Sequence, residues 1–179
     1  VKKTSIIEMA MKTLEALFAN IPVQVMMGKP DGTVVERVVA DSRQVRPGDL
    51  FVATKGEHFD AHRFIPQAVA KGAVAIVGMD VGIQPEAPYI CVENSRQALA
   101  HLAAASHDFP ARKLTVIGVT GTDGKTTTCN LLHSILTAAG RRAGLVSTVN
   151  AVIGERVMDT GLHTTTPDAP DMQRYLAEM

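Results

Sequence analysis

The run Gly118-Val119-Thr120-Gly121-Thr122-Asp123-Gly124-Lys125-Thr126-Thr127-Thr128 carries the residue types with the most chemistry in the chain. An apolar stretch precedes it and a helical periodicity follows it. Gly121 and Gly124 let backbone N–H groups turn inward around a phosphate, where a Cβ would obstruct the approach. The helix start adds free N–H donors and the positive end of its dipole. Lys125 can reach the outer phosphates of a nucleoside triphosphate as a point charge, and the Thr126 hydroxyl is placed to bind Mg²⁺. The spacing is unusual. The general phosphate-loop pattern puts its first glycine where Val119 stands, and Gly118 lies one residue early. The bland alternative is a glycine-rich turn with an exposed lysine. A lysine followed by three threonines is a poor helix start unless the loop has another duty.

Three further groups could meet a ligand. Asp41-Ser42-Arg43, at a strand end, offers a small hydroxyl and a guanidinium fork for phosphate; a turn with Asp41 on the backbone and Arg43 solvated is the alternative. His58 and His62 lack metal-site companions, and each could be a surface histidine, His58 being better placed as a ligand. His163-Thr164-Thr165-Thr166-Pro167-Asp168 puts three hydroxyls before a helix start, with Pro167 suited to the first turn; a simple helix cap explains the same residues.

These residues need elements to hold them. A helix is expected from Thr4 to about Ala19, with Ser5 and Glu8 as a capping box and Pro22 as the stop. Strands Val23–Met27 and Thr33–Ala40 flank a Lys29-Pro30-Asp31-Gly32 turn, and Leu50–Ala53 follows Pro47-Gly48. Then come helix Arg63–Lys71, strands Ala73–Val77 and Tyr89–Val92, and helix Arg96–His107, an α/β alternation. Asp108–Lys113 breaks the pattern as a linker. Beyond it, strand Leu114–Thr120, helix Lys125–Ala139 and strand Ala143–Thr148 form a βαβ unit, the seed of a parallel sheet. A hairpin over Asn150–Val157, the Thr-rich loop and a helix from about Asp168 complete the chain. With about two parallel strands present, the second domain is expected to be cut short.

The 179 residues suffice for one large or two small domains. Lys plus Arg balance Asp plus Glu at 18 each, which argues against a nucleic-acid or membrane-surface binder and leaves anion binding to a local site. No segment approaches the roughly 18 consecutive apolar residues of a membrane span, and no signal peptide precedes the first helix. A cytoplasmic protein is expected. Cys91 and Cys129 have no ligand spacing and read as buried, inert thiols.

The Gly118–Thr128 run resembles the ATP loop of the Mur ligases and their relatives, the folylpolyglutamate and cyanophycin synthetases. Asp123 stands where most members carry Asn; an extra carboxylate there is tolerable if it caps the helix or faces away. Asp41-Ser42-Arg43, Pro47–Ala53, Gly56 and Asp60–Ile65 resemble the UDP-binding domain of the tripeptide-synthetase branch. The D-alanyl-D-alanine-adding branch has a similar domain. The resemblance runs from about Val38 onward.

It implies an α/β fold in two parts, a UDP-precursor-binding domain over residues 1–112 and a truncated P-loop parallel-sheet domain over 113–179. It implies ATP contacts from Gly121, Thr122, Asp123, Gly124, Lys125, Thr126 and Thr127, with Lys125 catalytic and Thr126 a Mg²⁺ ligand. Substrate contacts fall on Ala40, Ser42, Glu57, His58, Phe59, Thr164, Thr165 and Thr166. The implied reaction joins an amino acid to UDP-MurNAc-L-Ala-D-Glu through an acyl phosphate, at the expense of ATP. The acidic Mg²⁺ ligand, histidine and carbamylated lysine of the family, and its third domain, have no counterpart here, so the chain alone is expected to be inactive. Two other readings stay open. A self-contained phosphate-loop NTPase needs an acidic strand end for Mg²⁺, and no apolar strand ending in Asp or Glu is expected after Val149. A non-catalytic UDP-sugar-binding module is the second.

Overall fold

The structure, a computed structural model, describes residues 11–19, 21–22, 24–27, 32–56, 59–83, 85–159 and 167–179. The chain divides between Asp108 and Phe109 into two compact units.

In the first unit, β1 (Lys12–Thr13) leads into the short helix α1 (Leu14–Phe18). The expected helix from Thr4 is corrected here. Lys12 and Thr13 pair antiparallel with Val35 and Val34 of β3 (Val34–Val35), and Thr13 caps α1 through a bond from the Ala16 N–H. Residues 1–10, including the proposed capping box, lie outside the described residues. The 33–40 run splits into β3 and β4 (Arg37–Val39).

The main sheet has the order β2-β7-β6-β5-β4. β5 is Asp49–Val52, β6 Ala75–Gly78 and β7 Tyr89–Cys91. β4 to β7 run parallel, and β2 (Val25–Met27) closes one edge antiparallel to β7. β5 and β7 are buried at every position, because helical crossovers cover both faces of a parallel sheet. α2 (Ile65–Ala70), entered through a 3-10 turn at Ala61–Phe64, crosses from β5 to β6, and α3 (Ser95–Ser106) follows β7 and packs against β4. Asp49 is fully buried in this sheet. Arg37 Nε and Nη2 clasp its carboxylate at 2.9 and 2.6 Å, and the Arg46 N–H adds a third bond at 2.8 Å. Three donors make the buried charge tolerable.

The segment 108–113 is a kink rather than an open linker. Asp108 and Phe109 both take left-handed backbone angles, and Pro110–Lys113 forms a 3-10 turn.

In the second unit, helix α4 (Lys125–Ala138) is followed by an antiparallel meander of β8 (Leu145–Val146), β9 (Asn150–Ile153) and β10 (Arg156–Asp159). Helix α5 (Ala169–Glu178) packs Tyr175 against Ala151 and Ile153. Residues 115–120 form no ladder, and Val116 and Ile117 are more than half exposed. The expected parallel pairing within the βαβ unit is therefore not made among the described residues; β8 pairs with β9 instead. α4 likewise buries no residue, and Leu131 and Ile135 on it are exposed. A parallel strand needs neighbours to satisfy its backbone, and segment 115–120 has none among the described residues.

Candidate functional site

The loop from Gly121 to Lys125 owes its shape to two glycines. Gly121 has φ 151° and Gly124 φ 76°, angles that side-chain-bearing residues rarely adopt. Gly118 has an ordinary φ and open space where a Cβ would stand, so this backbone does not require glycine there. Gly124 is the N-cap of α4 and has no side chain to satisfy the first amides. Lys125 folds back over the loop, its Nζ donating to the Gly121 carbonyl at 2.6 Å and to that of Thr122 at 3.0 Å. The helix end and the ammonium thus face the same turn.

Asp123 does not cap the helix; Gly124 occupies that place and the Asp123 side chain is exposed. Thr126 is half-buried, and its carbonyl accepts from Asn130 Nδ2 at 2.8 Å. An uncapped helix end, two left-handed glycines and an ammonium over the loop fit a phosphate chain with its Mg²⁺; the described residues hold no His, Cys, Asp and Glu cluster that would bind a metal by itself.

The first unit gathers its polar residues where its parallel strands end. Ser42, beyond β4, is buried, and its hydroxyl donates to Gln67 Oε1 at 3.1 Å. Lys71 Nζ binds the carbonyls of Ser42 and Arg43 at 3.0 and 2.8 Å. Arg43 is solvated, its side chain 85% exposed, with its guanidinium paired to Asp41. Asp41 takes its N–H at 2.9 Å and grips the guanidinium at 3.0 and 2.8 Å, and that guanidinium holds the Asp41 carboxyl below its usual range. The turn reading of Asp41 and Arg43 is the one observed. Ala40 is half-buried beside them.

Phe59, beyond β5, is half exposed and stacks on Phe64 at 5.8 Å, with the Arg63 guanidinium over both rings. It lines a cleft of about 750 Å³ together with Lys55, Gly56, Met79, Asn94, Ser95 and Arg96, all at the carboxyl ends of β5, β6 and β7. Ligands in open α/β sheets gather at such ends. Ser42 is not among the cleft residues. Glu57, His58, Thr164, Thr165 and Thr166 lie outside the described residues.

His62 is not a surface histidine: its side chain is only 9% exposed. Its Nε2 accepts the Met79 N–H at 2.9 Å, so Nδ1 carries the proton and donates to Asp60 at 2.6 Å. Pro167 precedes α5, and Pro170 takes the first turn instead. Cys91 is buried, and burial pushes its thiol up; Cys129 is half-exposed on α4, not buried as expected. Among the described residues no helix is long and apolar enough to cross a membrane.

Sequence reasoning missed Gln67, Lys71, Lys55, Ser95 and Arg96. The signal available for the last two was a strand followed by Asn-Ser-Arg at a helix start, the same strand–turn–helix layout as the phosphate loop.

A parallel α/β unit followed by a unit that opens on a glycine–lysine phosphate loop defines a nucleotide-handling class of protein. Comparison with known proteins narrows the class. The profile described as "Mur ligase family, catalytic domain" matches residues 34–107, and that of the "Mur ligase middle domain" matches 119–179. The chain belongs to the Mur ligase family. It is 45% identical over 152 residues to a UDP-N-acetylmuramyl-tripeptide synthetase of Roseiflexus sp., covering 84% of this chain and 30% of that protein. It is 40% identical over 171 residues to a UDP-N-acetylmuramoyl-L-alanyl-D-glutamate–2,6-diaminopimelate ligase of Bacillus cereus, covering 96% of this chain and 33% of the other. A solved D-alanyl-D-alanyl ligase of Acinetobacter baumannii, acting on UDP-N-acetylmuramoylalanyl-D-glutamyl-2,6-diaminopimelate, superposes with a TM-score of 0.62 at 28% identity, over 98% of this chain and 35% of that one. The chain thus spans about a third of the length of the relatives it matches.

Proposed function

We propose that this chain is the front part of an ATP-dependent amide ligase that adds an amino acid to a UDP-MurNAc-peptide in the cytoplasm. The first unit would hold the UDP end of the precursor, and the second would hold ATP and Mg²⁺. The observation that carries this is Lys125 folded over a left-handed glycine loop at an uncapped helix end. Charge neutralisation of a transferring phosphoryl group is the physical need, and positioned cations with helix-end amides are suited to it. Lys125 and the amides after Gly124 would bind the phosphates, with Thr126 beside the metal. Thr122, Asp123 and Thr127 would flank them. ATP supplies the phosphoryl group that activates a substrate carboxylate for attack by the incoming amine. The names of the relatives support the substrate class.

In the first unit, Ala40, Ser42 and Glu57, His58 and Phe59 would contact the UDP moiety, and Thr164, Thr165 and Thr166 the muramoyl peptide. Because the Ser42 hydroxyl gives its hydrogen to Gln67, it would meet the ligand as an acceptor. Calorimetric titration of the chain with UDP tests this reading. A hydroxyl contact is worth roughly 0.5–1.5 kcal/mol, so Ser42→Ala is expected to weaken UDP about threefold to tenfold. A folded chain that shows no heat at millimolar UDP would exclude it.

A further inference from the structure

Ser95 is the first residue of α3, is wholly buried, and lines the cleft at the ends of β5, β6 and β7. Its hydroxyl has no hydrogen-bond partner, and Gln173 Oε1 is the other buried side-chain atom so described among the described residues. Native proteins hold few such groups, because an unpaired buried hydroxyl destabilises the fold. The helix end does not explain it. Asn94 Oδ1 already takes the amides of Arg96 and Gln97 at 3.1 and 3.0 Å, so the N-terminus of α3 is capped from within.

What remains unpaired is side-chain chemistry. Arg96 and Lys55 bring two cations to the same cleft. The Arg96 guanidinium lies over the chain at Gly56, where a Cβ would stand 2.9 Å from its Nη2, so glycine is what admits it. Lys55 Nζ stays 3.8 Å from Asp60, whose carboxylate is also bonded to the His62 ring, so the lysine is only loosely neutralised. Phe59 adds a half-exposed aromatic wall.

We propose that this cleft is an oxyanion site that seats a phosphate group, with Ser95 Oγ–H, Arg96 and Lys55 as its donors. It is built from other residues than the Gly121–Lys125 loop and lies in the other unit. Assigning the phosphate to the diphosphate of a nucleotide sugar rests on the reading given above; the site itself requires only a phosphate.

The test is an amide chemical-shift titration of the chain with inorganic pyrophosphate, UDP and uridine. Lys125→Ala is used as background so that the second unit's loop does not compete. Pyrophosphate and UDP are expected to move the amides of Lys55, Gly56, Ser95 and Arg96. Ser95→Ala and Arg96→Gln should each weaken both ligands about tenfold, as for loss of a hydrogen bond to a charged group, and leave uridine unchanged. Ser95→Ala should keep or raise the melting temperature. Arg96 is exposed, so Arg96→Gln preserves the test if Ser95→Ala perturbs folding. Unchanged pyrophosphate and UDP affinity in both variants overturns the site while leaving the nucleotide reading intact. Pyrophosphate bound at Ser95 with neither UDP nor uridine bound upholds the site and overturns the nucleotide reading.

Discussion

Lys125 is bonded to the loop it belongs to: its Nζ donates to the Gly121 carbonyl at 2.6 Å, spanning four residues. The ammonium is thereby held over the start of α4, where the amides after Gly124 have no side-chain cap. A cation already positioned loses little side-chain freedom when a phosphate arrives. Lys125→Ala is expected to weaken ADP at least about tenfold, since a charge-assisted bond and the field of one cation are lost together. UDP affinity should stay within about twofold if the two units divide the ligands. Parallel calorimetric titrations check both numbers, and an equal loss for UDP would count against that division.

Gly124 and Gly118 separate backbone need from mere composition. Gly124 has φ 76°, whereas a Cβ on Gly118 would meet nothing within 4 Å. Gly124→Ala should destabilise the second unit by about 1 kcal/mol, and Gly118→Ala should be near neutral. Urea denaturation followed by far-ultraviolet circular dichroism distinguishes them; equal effects would refute the argument from φ.

The Arg37–Asp49 pair predicts a larger effect in the first unit. Asp49 is fully buried and Arg37 is its only charged partner among the described residues. Arg37→Leu leaves a buried carboxylate uncompensated, with an expected cost of about 3 kcal/mol. The double variant Arg37→Leu with Asp49→Leu should recover much of the loss, because the charge is removed with its partner. A double-mutant cycle in urea measures the coupling, and a single variant within about 0.5 kcal/mol of wild type would contradict it.

Tyr89 gives the pH dependence. Burial pushes its phenol up to about 12 from 10.0. The folded pKa lies above the unfolded one, so this contribution is fully present below pH 10 and is lost as pH rises towards 12. The two-unit span corresponds to roughly 2–3 kcal/mol. Tyr89→Phe removes the phenol, so its stability should fall less steeply across this window. It also leaves the Asp80 N–H, which donates to the Tyr89 oxygen at 3.2 Å, without that acceptor, so it should start from a lower baseline. Denaturation at pH 9, 10.5 and 11.5 reads the slope, and parallel slopes would exclude Tyr89 as the alkaline trigger.

Much of the local architecture was legible without coordinates. α4 begins at Lys125 as expected, because a helix makes its hydrogen bonds within its own segment and glycines announce its entry. β5, β6 and β7 were readable because strands buried on both faces are continuous apolar runs. The 150–157 hairpin was expected too, and its turn holds Gly154 at φ 60°. Tertiary structure alone decided the rest. Segment 114–120 reads as a strand, yet a strand's bonds come from another segment, and none pairs with it among the described residues. Arg43 could have been left to a phosphate; instead Asp41 pairs with it at the surface, where it stays solvated. His62 looked superficial until the Met79 amide and Asp60 were brought to its two nitrogens. Lys55, Ser95 and Arg96 are ordinary residues in separate loops, and only the parallel order of β5, β6 and β7 turns their strand ends towards one cleft. Local bonding can be read along a chain; convergence of distant side chains depends on which strands become neighbours.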